Sequence, residues 1–320
     1  MVRRLLVVAV GTTVLAACGT SVSLSGGEPA TTAGASPSAP ARATRTDRPP
    51  PVTVTPRPTT RTTAPTSAPA TAAPRQPARS PRRAPRLDSW QVGANPLPLR
   101  PDGFGEVQRT PRELRVRRMP TVDLLPPPRG GRFESSVAPI SQRVRRRMGE
   151  TWTPRCPVAL DDLRYLTVSF WGFDDRAHTG ELVVHADVAR DVVGVFRRLY
   201  RERYPIEEMR LVTTADLDAP PTGDGNNTAA LVCRPVRGQS EWSAHAYGQA
   251  IDVNPFLNPY RNDDLVLPEL ASAYLDRGWR RPGMVHPDGV VVRAFESIGW
   301  TWGGDFESLE DYMHFSATGG

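Results

Sequence analysis

The pattern of hydrophobic and polar positions becomes regular only after about residue 135. Alternation of Leu166, Val168 and Phe170 with more polar neighbours predicts a strand. Spacings of three and four residues then predict a helix that Asp187 caps and that ends at Pro205. The apolar face of this helix holds Val188, Val192, Phe196 and Leu199.

Shorter apolar runs predict the remaining elements. We expect strands near residues 182–184, 209–212, 250–253, 290–292 and 312–315, with the strand at 250–253 in the centre of a sheet. We expect helices at 268–275, where Pro268 can stand in the first turn, and at 294–298. Strands that alternate with helices and irregular loops indicate an α+β domain.

The N-terminus has the features of an export signal. Arg3 and Arg4 precede an apolar run at residues 5–17, which is too short to span a bilayer as a stable helix. The run ends in Leu-Ala-Ala-Cys, which resembles the bacterial lipobox. This predicts a lipoprotein signal over residues 1–18 and lipidation of Cys18, which would anchor the chain to the outer face of the membrane. A plain signal peptide with a chance cysteine is the alternative.

The segment after the signal has the composition of a tether. Residues 19–90 consist mainly of Ala, Thr, Pro, Ser and Arg, and they contain too few large apolar side chains to form a core. We expect them to be disordered, either held near anionic lipids and wall polymers or serving as a solubilising spacer. Residues 91–134 show no period and form either a stalk or an extension that packs on the domain.

Net charge and cysteine content indicate which partners and which cellular compartment to expect. The net charge is +6, but much of the excess lies in the tether, and no basic module with interleaved aromatic residues accompanies it. We therefore expect no nucleic-acid partner. If Cys18 is lipidated, Cys156 and Cys233 remain, and an oxidising extracytoplasmic setting favours a disulfide between them. Two buried free thiols are the alternative.

Residues 243–252, with the sequence SAHAYGQAID, form the densest polar cluster of the chain. Asp252 lies between apolar residues of a predicted strand, where a carboxylate is costly unless it is paired or bound to a metal. His245 lies seven residues earlier, and Gly248 permits a turn that brings the histidine back toward the strand. We therefore predict that these two side chains are metal ligands. A catalytic zinc ion needs a third protein ligand and an open position for water.

The C-terminal segment offers the third ligand. His314 stands between two apolar residues, and Asp311 lies three residues before it. A carboxylate at that spacing can reach water activated by the same zinc ion and accept its proton. The prediction is therefore one Zn²⁺ ion held by His245, Asp252 and His314, with Asp311 as the base.

The motif Ser-x-His-x-x-Gly-x-Ala-x-Asp, followed by Asp-x-x-His-Phe, resembles the M15 family of zinc peptidases. This family includes D-Ala-D-Ala carboxypeptidases and L-Ala-D-Glu peptidoglycan endopeptidases. The resemblance spans roughly residues 135–318 and implies the small α+β hedgehog/DD-peptidase fold for a domain at 135–320. It extends to WGF at 171–173, HTGELVV at 178–184, NNTAALVCR at 226–234, NP at 254–255, NPY at 258–260 and WGG at 302–304.

The resemblance implies roles by position. It assigns His245, Asp252 and His314 to zinc and Asp311 to the catalytic base, and it implies that Arg234 orients substrate or stabilises developing negative charge. A structural ion pair is the alternative for Arg234. Ser243 either contacts substrate or stabilises the turn. The other histidines fall outside the metal pattern; we expect His178 and His185 to be structural and His286 to be exposed in a turn between strands.

The function expected from these features is an extracytoplasmic zinc metallopeptidase that cleaves peptidoglycan stem peptides. Well-known carboxypeptidase members of the family carry Glu at the position of the base, whereas this chain has Asp, as the endopeptidase-like branch does. Both kinds of cleavage therefore stay open. A non-catalytic zinc domain that binds wall peptides or a protein partner is the rival, and the presence of both Asp311 and the full ligand set argues against it.

Overall fold

The computed structural model describes residues 90–236 and 239–319. The predicted signal peptide, the predicted lipidation of Cys18 and the predicted tether up to residue 89 lie outside these ranges. None of the helices in the described ranges combines the length and the apolar character needed to cross a membrane.

Within the described ranges, three antiparallel sheets and four α-helices form a mixed α+β fold. The first sheet has the order β1 (Ser135–Pro139), β2 (Leu163–Trp171), β3 (Ala177–His185). The second has the order β4 (Ala250–Asp252), β9 (His314–Ser316), β7 (Thr301–Trp302), and the third β6 (Leu265–Leu267), β5 (Tyr260–Asn262), β8 (Glu310–Asp311). The helices are α1 (Gln142–Met148), α2 (Ala189–Arg201), α3 (Thr214–Asp218) and α4 (Val290–Glu296). The α+β class predicted from the sequence is confirmed.

The main core forms between the first sheet and α2, because both present apolar residues at the period of their own element. It continues into α4 and β9, where the rings of Phe295 and Phe315 stack with centroids 4.2 Å apart. Buried members of this core include Leu166, Val168, Phe170, Val192, Phe196, Leu199, Val291, Phe295 and Phe315. The predicted strand and the predicted helix are confirmed, and the core joins the first sheet to the strands that carry the polar cluster.

Several predicted boundaries are wrong for local reasons. Asp187 does not cap α2, because it lies inside a 3-10 turn, Ala186–Val188, and its own amide donates to Nδ1 of His185 (3.3 Å). Residues 290–292 belong to α4 and not to a strand, because burial of Val291 and Val292 at helical spacing with Ala294 and Phe295 overrides the strand preference of valine. His286 is buried in the turn before α4, not exposed between strands.

Other segments differ in backbone pairing. Residues 209–212 form no ladder, because the side chain of Asn227 bonds both the N–H (2.9 Å) and the C=O (3.0 Å) of Arg210, which occupies the groups a partner strand would use. Strand β4 lies at the edge of its sheet with β9 in the centre, and only an isolated bridge to Ala229 covers its other side. The helix expected from residue 268 begins at Ser272, and the last strand begins at His314, after a turn at 312–313.

Residues 90–121, which we call the N-terminal strap, pack against the domain. Trp90 donates from Nε1 to the Asp224 carboxylate (2.9 Å). The guanidinium of Arg117 is buried and makes two hydrogen bonds to the Glu207 carboxylate (2.8 and 2.6 Å). Leu114 is fully buried in a second core together with Met119, Phe256, Leu257, Leu270, Ala271, Tyr274 and Met284.

A disulfide joins Cys156 to Cys233, with an S–S distance of 2.04 Å. It ties the segment before β2 to the segment that ends at Arg234. The backbone amide of Cys233 also donates to the Thr151 carbonyl (3.0 Å), so two links fix this stretch. Disulfides of this kind are typical of extracytoplasmic proteins.

Candidate metal centre

A tight turn presents His245. The hydroxyl of Ser243 accepts the His245 amide (3.3 Å) and caps the 3-10 helix Ala244–Tyr247. Gly248 follows in the left-handed region (φ 68°), and a Cβ there would lie 2.7 Å from the backbone nitrogen of His185. Only glycine tolerates both conditions, so the chain can reverse into β4 and bring His245 back toward Asp252.

Strand pairing brings the other two side chains together. Strands β4 and β9 are antiparallel, and their register sets Asp252 directly opposite His314. Directly opposed residues of an antiparallel pair project to the same face of the sheet. The two side chains therefore meet on the face toward which the turn returns His245.

The three side chains converge on one point. Oδ1 of Asp252 lies 3.2 Å from Nε2 of His245 and 3.2 Å from Nδ1 of His314, and these two nitrogens are also 3.2 Å apart. Donor atoms held about 2.0–2.1 Å from a tetrahedral zinc ion are roughly 3.3 Å from one another. The spacing of the three donors is therefore that of one face of a zinc tetrahedron.

The surroundings of His245 fix which nitrogen can bind a metal. Its Nδ1 lies 2.6 Å from the carbonyl oxygen of Ala230, so Nδ1 carries the proton and donates it to that carbonyl. Nε2 then presents a lone pair to the cluster, which is the usual arrangement of a metal-bound histidine. Two imidazoles and a carboxylate suit zinc, and the donor set fits that ion.

Asp252 stays charged in this position. Burial alone would raise the pKa of Asp252, but its contacts with His245 and His314 outweigh burial and hold that pKa far below its ordinary value. The carboxylate is therefore ionised at neutral pH, as a metal ligand must be.

Asp311 lies on β8 with its Oδ1 shielded from solvent and without a hydrogen-bond partner among the described residues. Burial raises the pKa of Asp311 to about 7, and the negative charge of Asp252 adds to the rise, whereas His314 and Arg234 oppose it. A carboxyl group with a pKa near neutrality both accepts and returns a proton at neutral pH, as a general base must. The orphaned oxygen marks where such a proton would be held.

Gly303 allows β8 to approach this site closely. A Cβ at Gly303 would lie 2.6 Å from the carbonyl oxygen and 2.9 Å from the Cβ of Asp311. Nothing in the sequence spacing predicts this contact, although Gly303 belongs to the Trp-Gly-Gly motif. The role of the Ala230 carbonyl was also not predictable, because a backbone acceptor has no residue type that reveals it.

Arg234 lies beside the turn that carries His245. The Ser243 amide donates to the Arg234 carbonyl (3.3 Å), and Pro235 forms a bridge with Trp242, so a short ladder places Arg234 opposite Ser243. The guanidinium donates to the Pro235 carbonyl (3.2 Å) and makes no ion pair with a carboxylate in the described ranges. The positive charge of Arg234 lowers the pKa of Asp311, so the guanidinium lies close enough to act on that carboxyl group through its charge.

Two other histidines stand apart from the cluster. His178 is held between the Asp123 carboxylate (2.7 Å) and the Asp174 carboxylate (3.0 Å). His185 lies at the end of β3 and accepts the Asp187 amide. Of the residues predicted for the site, the structure brings His245, Asp252 and His314 into one group, with Asp311 and Arg234 coupled to it through their charges.

Residues 237–317 match the family model described as D-alanyl-D-alanine carboxypeptidase, a peptidase M15 family. This region is similar to the peptidase M15 family. The matched region contains His245, Asp252, Asp311 and His314, whereas Arg234 and the disulfide precede it. No curated protein and no solved structure matches the chain.

Proposed function

We propose that this protein is an extracytoplasmic zinc peptidase that hydrolyses stem peptides of peptidoglycan. The observation that carries the proposal is the shielded, unpartnered Oδ1 of Asp311, which is coupled by charge to a cluster of three donors with zinc spacing. The family match and the α+β fold support it, and we propose that the fold is of the hedgehog/DD-peptidase type.

Each residue of the proposed site has its own role in the reaction. His245, Asp252 and His314 would hold zinc, and a bound zinc ion supplies Lewis acidity that activates water and polarises a carbonyl. Asp311 accepts the proton of the attacking water at its free Oδ1 and then returns it to the leaving amine. Arg234 donates to the oxygen on which negative charge develops, since its guanidinium makes no ion pair with a carboxylate of the described residues. Ser243 holds the His245 turn.

The family description favours release of a terminal D-Ala from a D-Ala-D-Ala end. Asp in place of Glu at position 311 is the observation that favours a second candidate, internal cleavage at an L-Ala-D-Glu bond. Both reactions use the same water activation and differ only in where the peptide ends.

The setting of the enzyme is part of the proposal. The Cys156–Cys233 disulfide supports an extracytoplasmic location. We propose that a lipid on Cys18 anchors the chain to the membrane and that residues 19–89 tether the domain within reach of the wall. The partners are then peptidoglycan peptides and the membrane, and not nucleic acid.

The test uses the purified full chain, its zinc content, and mass spectrometry of peptidoglycan fragments digested with and without a chelator. We expect one zinc per chain, chelator-sensitive release of D-Ala or of stem-peptide fragments, and at least a 100-fold lower rate in Asp311→Asn, the size of effect typical of a general base. Zinc binding without any cleavage would instead establish the non-catalytic rival. Full activity of Asp311→Asn would refute the assigned base.

A further inference from the structure

Tyr260 lies directly across the strand pair from Asp311. Strands β5 and β8 are antiparallel, and their register pairs Tyr260 with Asp311 and Arg261 with Glu310. Opposed residues in such a pair have Cβ atoms about 4.5–5.5 Å apart. Tyr260 is therefore an immediate neighbour of the proposed base, although it lies 51 positions earlier in the chain.

The adjacent pair shows which way Tyr260 points. Arg261 and Glu310 form an ion pair (3.3 Å), so both project from one face of the strand pair. Successive residues of a strand project to opposite faces. Tyr260 and Asp311 consequently share the other face, the one that carries the free Oδ1.

The hydroxyl of Tyr260 makes no hydrogen bond within the described ranges, although the residue is half-buried. Four tyrosine hydroxyls are bonded, those of Tyr165, Tyr200, Tyr204 and Tyr274, whereas in the described ranges those of Tyr247 and Tyr312 resemble Tyr260 in making no hydrogen bond. The Tyr260 hydroxyl is not among the described side-chain atoms that are shielded from solvent without a partner, so it stays accessible to a ligand. A ligand that binds beside Asp311 can therefore accept a hydrogen bond from it.

We propose that Tyr260 is a substrate-binding residue whose hydroxyl donates a hydrogen bond to the terminal carboxylate of the leaving amino acid; this rests on the proposed function. A base that returns its proton to the leaving amine must lie beside the residue that carries that amine. Tyr260 is the neighbour of Asp311 on the same face, so its phenol would lie beside the substrate residue that carries the leaving amine. In a D-Ala-D-Ala end, the leaving residue ends in a free carboxylate, which accepts a stronger hydrogen bond than a neutral group does.

The experiment compares the full-length wild type with Tyr260→Phe, which removes only the hydroxyl. Two peptides are used that are identical except that one ends in D-Ala carboxylate and the other in D-Ala amide. We expect kcat/KM for the carboxylate peptide to fall about 10- to 100-fold, since hydrogen bonds to charged groups have this weight. The loss should lie mainly in KM, because the contact exists in both the ground state and the transition state. The loss for the amide peptide should be smaller.

Controls separate substrate binding from structure. Tyr200 lies on α2, and Tyr200→Phe loses a hydrogen bond to the Gly131 carbonyl but should keep wild-type kcat/KM for both peptides. Zinc affinity, measured by competition with a chromogenic chelator, and Tm should be unchanged in Tyr260→Phe. Equal losses on the two peptides, or a loss that follows zinc affinity or Tm, would overturn the carboxylate contact.

A binding measurement distinguishes failure of this inference from failure of the proposed function. Calorimetric Kd values for the carboxylate peptide are compared between zinc-loaded Asp311→Asn and the double variant with Tyr260→Phe. We expect a 10- to 100-fold weaker Kd in the double variant. If the wild type cleaves nothing but the double variant binds more weakly, the proposed peptidase activity is refuted and the Tyr260 contact is retained. An active wild type with no change in Kd refutes only Tyr260.

Discussion

Substitution of Gly303 by Ala tests how strictly the position of Asp311 is set. The new Cβ would lie 2.6 Å from the Asp311 carbonyl oxygen, whereas ordinary contact begins at 3.4 Å, so β8 must move by about 0.8 Å (3.4 minus 2.6). Both contacts are with backbone or with a Cβ, which cannot rotate away. A displacement of about 1 Å at a reacting group costs up to 100-fold in rate, so we expect kcat to fall about 10- to 100-fold.

The assay is kcat and KM on a D-Ala-D-Ala peptide, with zinc content and Tm measured on the same samples. Overpacking also lowers the free energy of unfolding, by about 1–3 kcal/mol. Gly225→Ala is the matched control, because a Cβ at Gly225 meets nothing within 4 Å and its φ is not positive. A Gly303→Ala variant with wild-type kcat would refute the close-approach reasoning. Loss of zinc together with activity would show that the ligands, and not Asp311, had moved.

Two further predictions concern stability and its dependence on pH. Glu207→Gln leaves the buried guanidinium of Arg117 without its charged partner and should lower the free energy of unfolding by about 3–5 kcal/mol in chemical denaturation. Asp288→Asn breaks an exposed ion pair and should leave the free energy of unfolding almost unchanged; equal losses in the two variants would contradict the role of burial. Burial opposes the charge of Glu181, but Arg147 outweighs it and lowers the pKa of Glu181 below its ordinary value. This stabilisation is present at neutral pH and is lost as the pH falls through the lowered pKa; Tm should therefore fall less in Glu181→Gln than in the wild type between about pH 5 and pH 3, and parallel curves would contradict the assignment.

The metal cluster was predictable because its chemistry is out of place in its surroundings. A carboxylate at Asp252 inside an apolar strand needs a partner, and His314 repeats that situation in the last strand. Gly248 indicated the turn, because few other residues adopt a left-handed backbone conformation so close to a neighbouring segment of backbone. These signals are local, and a local signal is what a sequence carries best.

The remaining features depend on contacts that form only when distant segments meet. Valine is typical of strands, yet Val291 and Val292 lie in α4 because their burial against the main core decides their conformation. Leu114 stands in a stretch without any period, yet it is fully buried. The proximity of Tyr260 to Asp311 follows from strand register, which no spacing in the sequence encodes.

The N-terminal strap determines how short the protein can be made. A chain that started at residue 135, where hydrophobic periodicity begins, would lack the residues that pack on Phe256 and Tyr274. It would also leave Glu207 buried without its ion-pair partner Arg117. A chain started at residue 237, where the family match begins, would also lose the first sheet and the disulfide. The smallest portion that retains all the cores described here therefore begins no later than Trp90, so roughly 230 residues are needed to hold a cluster of three metal-binding side chains.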